Sequence, residues 1–259
     1  MELKQISQAI DFYIRPACFP LALKILGSSQ EIPSKARIPK RDLNTEVALC
    51  QAIAMGRLYG WTMAFGHDDH YCPYGALTLG HVPLKPYFLE ATYWEEGMLP
   101  GTREGAIKTN QTKKTLEYNK NNYLLLSPLD RADFIPDLIV IYANSAQVMR
   151  LVQAAIHGKG GAITSSASGG RDCSDIIAAP LLSDECRFIL PGGGDRIWGL
   201  TQDDEMVFSI PIGQAESVAN GLEATHKMGW RYPIPSFIRF TPQQPPPLRK
   251  LMETLREPD

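Results

Sequence analysis

Cys50, Cys72 and Cys173 are the residues of this chain best suited to chemistry. Cys72 lies in GHDDHYCPYGALTLGH, which gathers His67, Asp68, Asp69, His70, Cys72 and His81 and so holds three of the five histidines. Pro73 suits the first position of a helix, which makes Cys72 the expected N-cap. There, unpaired backbone N–H groups and the helix dipole stabilise a thiolate. Such a thiolate can ligate a soft metal, or attack an electrophile with His70 or His67 as its base. The structural alternative, a solvated turn followed by a small core cysteine, carries equal weight for this segment taken alone.

Cys173 occupies a matching place. ALCQAIAMGRLYGWTMAFGHDDHYC (48–72) and MRLVQAAIHGKGGAITSSASGGRDC (149–173) read as one unit used twice: a helical run, a glycine-containing turn, a short β-prone segment, a polar loop and a cysteine. Cys50 belongs to the first copy only, its counterpart being Leu151. Three thiols suit an iron–sulfur cluster (4Fe-4S) or another thiolate-bound metal, with the fourth position open or filled by His70 or an outside ligand. No C-x-x-C clamp is present, and spacing alone does not bring the three together. Cys18, beside Phe19, and Cys186, inside CRFIL, read as core thiols.

Anion-binding candidates are fewer. PGGGDR (191–196) offers backbone N–H groups but fits neither a P-loop nor G-x-G-x-x-G, so a strand-to-strand turn with Asp195 and Arg196 capping local backbone is favoured. Lys24 interrupts the apolar run LALKIL and must either snorkel or face a polar site. With Arg171 and Arg196 it forms the expected set for an organic anion. Ser165, Ser166 and Ser168 lack the G-x-S-x-G setting of a serine nucleophile.

Periodicity places the elements that must position these groups. Residues 3–14 read as a helix, Leu21 to Leu26 as a strand, and Asn44 as the N-cap of a helix through Arg57. Trp61 to Phe65 is β-prone, and Ser174 to Leu182 continues as a helix from Cys173. A polar helical insertion spans 83–120, with Tyr87, Phe88, Tyr93 and Trp94 expected inward. Asn121 to Ser127, Leu138 to Tyr142, Cys186 to Leu190 and Met206 to Ile210 read as strands. Asn144 with Gln147 forms a capping box, and Gln214 to His226 a helix. Leu248, Leu251, Met252 and Leu255 form the stripe of a final helix expected to dock on the core, with a dimer contact as the alternative. The expected fold is mixed α/β (α+β), an internally duplicated strand–helix–strand–Cys–helix unit sharing one sheet. We expect one globular domain over 1–240 made of two pseudo-repeats (about 20–82 and 136–182), then a Pro-rich connector and helix over 241–259.

Bulk properties bound the function. The 259 residues include 21% charged and 44% hydrophobic residues, with a formal net charge of −2. That balance offers no basic footprint for nucleic acid or an anionic membrane. No apolar run reaches the roughly 20 residues of a bilayer span. The amphipathic start, MELKQISQAIDFYI, is unlike a signal peptide, and five cysteines do not make a disulfide framework. A cytoplasmic location is expected.

PLALKIL, LCQAIAMGRLYG, HYCPYGALTLG, PDLIVIYANSAQVMRLVQAA, RDCSDIIAAP and GGGDRIWGLTQDDEMVFSIP together resemble the DUF169 family, over about residues 20–225. That family occurs largely in archaea and anaerobic or environmental bacteria and has no settled activity. The resemblance implies cysteines at the positions of Cys50, Cys72 and Cys173. It also implies a further cysteine in the turn before Gly-Asp-Arg, where this chain has glycine. The leading expectation is a cytosolic iron–sulfur or other metal-centre protein, ligated by Cys50, Cys72, Cys173 and His70, with a redox or metallocofactor role in anaerobic metabolism. Its partner would be a redox enzyme or a small-molecule ligand, and the C-terminal helix offers a homo-oligomer contact. The alternatives are a non-catalytic anion-binding module using Lys24, Arg171 and Arg196, and a thiol enzyme with Cys72 as nucleophile and His70 as base.

Overall fold

A strand that is apolar at nearly every position must be covered on both faces, and LIVIYAN imposes that requirement at the centre of the molecule. In this computed structural model, which describes residues 1–93, 100–234 and 244–257, the chain runs α1 (Leu3–Tyr13), β1 (Leu21–Leu26), α2 (Leu49–Tyr59), β2 (Met63–Gly66), α3 (Pro73–Thr78), α4 (Pro86–Leu89), α5 (Arg103–Thr112) and β3 (Tyr123–Pro128). It continues through β4 (Leu138–Asn144), α6 (Ser145–Ile156), α7 (Ala179–Ser183), β5 (Arg187–Ile189), α8 (Gly193–Gly199), β6 (Glu205–Pro211), α9 (Ile212–Lys227) and α10 (Pro246–Arg256). Single π-helical turns occupy Pro39–Leu43 and Ser174–Ala178.

The strands form one six-stranded sheet in the order β2-β3-β1-β4-β6-β5, every pair antiparallel. Side-chain alternation then splits the core in two. Ile139, Ile141 and Ala143 of β4 pack under α1, α6 and α9, while Leu138, Val140 and Tyr142 pack under α2 and the turn at 174–178. The architecture is mixed α/β, with helices on both faces of an antiparallel sheet.

Local signals hold at β1, at the Cys72–Pro73 helix start, and at the Asn144–Gln147 capping box, where both reciprocal bonds form. Asn44 instead adopts a left-handed conformation that closes the turn at 39–43. Val47 bridges His70 and Ala48 is extended, so α2 starts later, with Gln51 accepting from the Ala48 N–H. PGGGDR opens α8 and is not a strand-to-strand turn. The two 101-offset segments are not shown as one repeated unit: the counterpart of β2, residues 164–167, forms no strand, and Cys173 precedes β5 whereas Cys72 follows β2. The apolar stripe of α10 does not dock on the described residues, since Leu248, Leu251, Met252 and Leu255 are 51%, 53%, 42% and 72% exposed. Tyr87 is half exposed and not packed inward, and Trp94 lies outside the described residues.

The α6–α9 contact is backbone on backbone. A Cβ added at Gly221 would stand 2.1 Å from the Ala154 carbonyl oxygen. Gly221→Ala must push the two helices apart, and we expect a loss of about 1–3 kcal/mol, read as a lower urea midpoint. An unchanged midpoint would show that the helices tolerate separation.

Candidate functional site

A cavity of about 1010 Å³ opens on the sheet face that carries α2 and α8. Its wall takes Cys50 and Ile53 from α2, Cys72 and Tyr74 from the start of α3, Phe88 from α4, the segment Gly169–Cys173, and Gly193–Asp195 with Trp198 from α8. Three thiols separated by up to 123 positions (50 and 173) therefore line one space. Antiparallel pairing brings this about, because β1 and β4 are neighbours at the middle of the sheet and the connections that follow each cover the same face.

Burial governs these thiols. Cys50 Sγ donates to the Gly194 carbonyl at 3.5 Å, and Cys173 Sγ lies 3.3 Å from Thr78 Oγ1 and 3.8 Å from the Tyr74 carbonyl. Desolvation, with Asp172 adding to it, pushes the Cys173 thiol up to about 12. Desolvation, then Asp195 and Asp172, raises Cys50 well above the usual thiol range. Both are protonated at neutral pH, so neither is a ready nucleophile. Among the described residues, no group of three or more His, Cys, Asp or Glu is arranged around the position of a single metal ion.

Asp195 is the acid of the site, which sequence reading treated as a turn cap. It is 2% exposed, and the Tyr142 hydroxyl donates to both its oxygens at 3.2 and 3.0 Å. Burial, and next the charge of Asp172, lift its carboxyl to about 7. It can therefore give or take a proton near neutrality. Beneath it, Arg57 stacks 4.2 Å over the Tyr142 ring and pairs with Glu205 at 3.2 Å. Gly199 allows the close approach: a Cβ there would meet Asp195 Oδ1 at 2.4 Å and the Cys50 Cβ at 3.3 Å.

Arg171 is the cation of the site. It is 7% exposed, and its Nε and Nη2 are buried without a hydrogen-bond partner among the described residues. Its backbone is left-handed, φ 55°, a conformation that costs a side-chain-bearing residue about 1–2 kcal/mol. Its guanidinium carbon lies 5.2 Å from the Phe88 ring centroid, and burial lowers its pKa. The nearby acids are engaged elsewhere. Asp175 pairs with buried Lys113 at 2.5 Å, and Asp172 accepts from the Gly192 N–H, with burial raising its pKa.

The remaining candidates sit off the cavity wall. Lys24 shares a sheet face with Ala22 and Leu26, opposite the thiols, and donates to the Ile135 carbonyl at 2.7 Å. Arg196 donates to the Gln202 carbonyl at 2.7 Å and fixes the loop after α8. His67, His70 and His81 form their own cluster. Asn121 Nδ2 donates to the Leu79 carbonyl, so its Oδ1 accepts from His81 Nε2, and His81 Nδ1 accepts from His70 Nε2, the last two bonds at 2.8 Å. Burial, then His81, holds His70 down at about 3. Its ring lies behind Gly75, with Nδ1 buried and unpartnered among the described residues.

Residues 9–221 match DUF169, described as Uncharacterised ArCR, COG2043. The chain belongs to the DUF169 family. It is 29% identical over 206 residues to "Uncharacterized protein MJ0308" of Methanocaldococcus jannaschii, covering 78% of this chain and 86% of that protein. No solved structure matches. Cys50, Cys72, Cys173, Arg171 and Asp195 all fall inside the matched DUF169 span. Among the described residues, no helix is long and apolar enough to cross a membrane.

Two measurements check the electrostatics. At pH 7.5, iodoacetamide is expected to modify Cys173 roughly 50- to 100-fold more slowly than an unperturbed thiol, the smaller thiolate fraction being partly offset by greater nucleophilicity. Peptide mass spectrometry would read this, and a rate equal to that of a free thiol would contradict it. Asp195 gives a pH signature as well. The unfolded carboxyl ionises near 4, whereas the folded one keeps its proton to about 7. Its contribution to stability is complete below about pH 4 and is lost as pH rises through 7, by at most about 4 kcal/mol. Asp195→Asn should therefore gain on the native protein between pH 4 and 8 in urea unfolding, and a constant difference would refute the shift.

Proposed function

We propose that this chain binds a small organic molecule in the thiol-lined cavity. The cavity itself carries the reading: about 1010 Å³, walled largely by aromatic and aliphatic side chains, with a few polar groups turned into it. That combination is typical of small-molecule sites. The thiols of Cys50, Cys72 and Cys173 then serve as soft, polarisable wall. Both halves of the chain build the site, α2 and α3 from one and α8 from the other. Their strands follow the same first-third-second order across the sheet, which supports descent from a duplicated unit as part of the same proposal.

N-phenyl-1-naphthylamine, a neutral aromatic probe whose fluorescence rises out of water, tests the site. Gly170→Phe should fill the cavity at no cost to the core, because a Cβ at Gly170 meets nothing within 4 Å. The expected result is saturable fluorescence with the native protein and its loss in Gly170→Phe, circular dichroism being unchanged. Equal fluorescence from both proteins would place the probe elsewhere and overturn the reading.

A second reading is favoured by one observation, the convergence of the three thiols. It makes Cys50, Cys72 and Cys173 the ligands of an iron–sulfur cluster with a redox or metallocofactor role. The donor set fits, since each thiolate of a cluster binds a different iron and no single-ion geometry is needed. Cluster assembly would have to displace the protons that burial keeps on Cys50 and Cys173. Anaerobic reconstitution with ferrous iron and sulfide is expected to give a coloured protein with bound iron and sulfide, and each Cys→Ser change to diminish both. A colourless, iron-free product would end this reading.

A further inference from the structure

We infer that the organic ligand is an anion, a carboxylate or phosphate monoester whose charge lies against Arg171 and whose apolar body lies along Phe88 and Trp198. This rests on the small-molecule reading of the cavity and names the class of its ligand. Four observations carry it. Arg171 lines the cavity and is 93% buried, 7% of its surface being exposed. Two of its guanidinium nitrogens, Nε and Nη2, have no hydrogen-bond partner among the described residues. Asp175, the carboxylate whose charge reaches it, is bound to Lys113 at 2.5 Å. Phe88 contacts the guanidinium through its ring, 5.2 Å away, and leaves the planar donor fork uncommitted.

A buried guanidinium without a counter-charge is unfavourable, and folded proteins pair such groups. Among the described residues, no carboxylate forms an ion pair with Arg171. Its carboxylate-matching fork accepts a planar or tetrahedral oxyanion in a bidentate manner. Gly169 and Gly170, just before Arg171 in sequence, carry no side chain to crowd the approach. The neutral thiols of Cys50 and Cys173 do not compete for the cation.

The test pairs N-phenyl-1-naphthylamine with its sulfonate, 1-anilinonaphthalene-8-sulfonate, on the full chain. The expected result is that the sulfonate binds at least tenfold more tightly than the neutral probe. Arg171→Met should erase that preference and leave the neutral probe bound, and Gly170→Phe should abolish both. Arg171→Met is also expected to raise the melting temperature in the absence of ligand, whereas a structurally paired arginine would lower it. Phenylacetate and phenyl phosphate should displace the sulfonate, the stronger of the two identifying a carboxylate or a phosphate ligand, and phenylacetamide should not. Equal binding of charged and neutral probes, both blocked by Gly170→Phe, overturns the anion inference and leaves the cavity reading standing. Binding of both that ignores Gly170→Phe overturns the two readings together, whereas displacement by phenylacetamide equal to that by phenylacetate overturns the anion inference alone. If Arg171→Met fails to fold, the charged-against-neutral comparison on the native protein decides the question by itself.

Discussion

Arg57 is the contact on which the rest of this structure depends. It is 1% exposed, inside α2, and its guanidinium reaches the Gly199 carbonyl at 2.9 Å, Thr201 Oγ1 at 3.4 Å, Cys18 Sγ at 3.5 Å and Glu205. One side chain thus ties α2 to the end of α8, to the loop after it and to the first residue of β6. It also lies on the Tyr142 ring, whose hydroxyl holds Asp195. Removing one member of a buried pair of this kind costs about 3–5 kcal/mol. Here it would also release α8, the helix that brings Gly194, Asp195 and Trp198 to the cavity. The floor of the site is therefore held by a charge network that no ligand needs to touch.

What the sequence disclosed and what it concealed follow from the range of the interactions. β4 was legible because both of its faces are covered, so LIVIY is apolar throughout, and the Asn144–Gln147 box was legible because its bonds span three residues. The Cys72–Pro73 helix start belongs to the same class. α8 was hidden because Gly193, Gly194 and Gly199 have low helix propensity, and its conformation is fixed by Arg57, Tyr142 and Cys50, all distant in the chain. The late start of α2 was hidden because Val47 is captured by His70 across a bridge.

The site divides in the same way. Cys50, Cys72, Cys173 and Arg171 could be nominated from residue type, and the sheet order brings them to one wall. Lys24 could be nominated but not placed, because strand alternation decides its face and it falls opposite the thiols. Asp195 stood in view within PGGGDR, yet its raised carboxyl pKa comes from burial and from Asp172, which only the tertiary structure supplies. His70 and His67 looked chemical beside Cys72. Their hydrogen bonds instead run inward to His81 and Asn121, leaving one lone pair on His70 unused.

One cause unites the electrostatics of the cavity wall: its titratable groups are buried in protein. Desolvation raises Cys50, Cys173, Asp172 and Asp195, and lowers Arg171. Each shift moves a group toward its neutral form, but not equally. Burial leaves the Cys50 and Cys173 thiols protonated and Asp195 poised near neutrality, whereas an arginine begins so high that it stays charged. The result is a wall whose buried thiols are neutral and whose cation is not. Arg171 therefore presents a local positive charge although the whole chain carries a formal net charge of −2. Both proposed occupants answer that charge, since an organic anion and a thiolate-bound cluster each place negative charge beside Arg171. They differ in the protons, because an anion seated on Arg171 leaves the thiols as they are and a cluster must expel theirs. The burial that protonates Cys50 and Cys173 opposes only the second, and on that ground the organic anion is the better match to the site as folded.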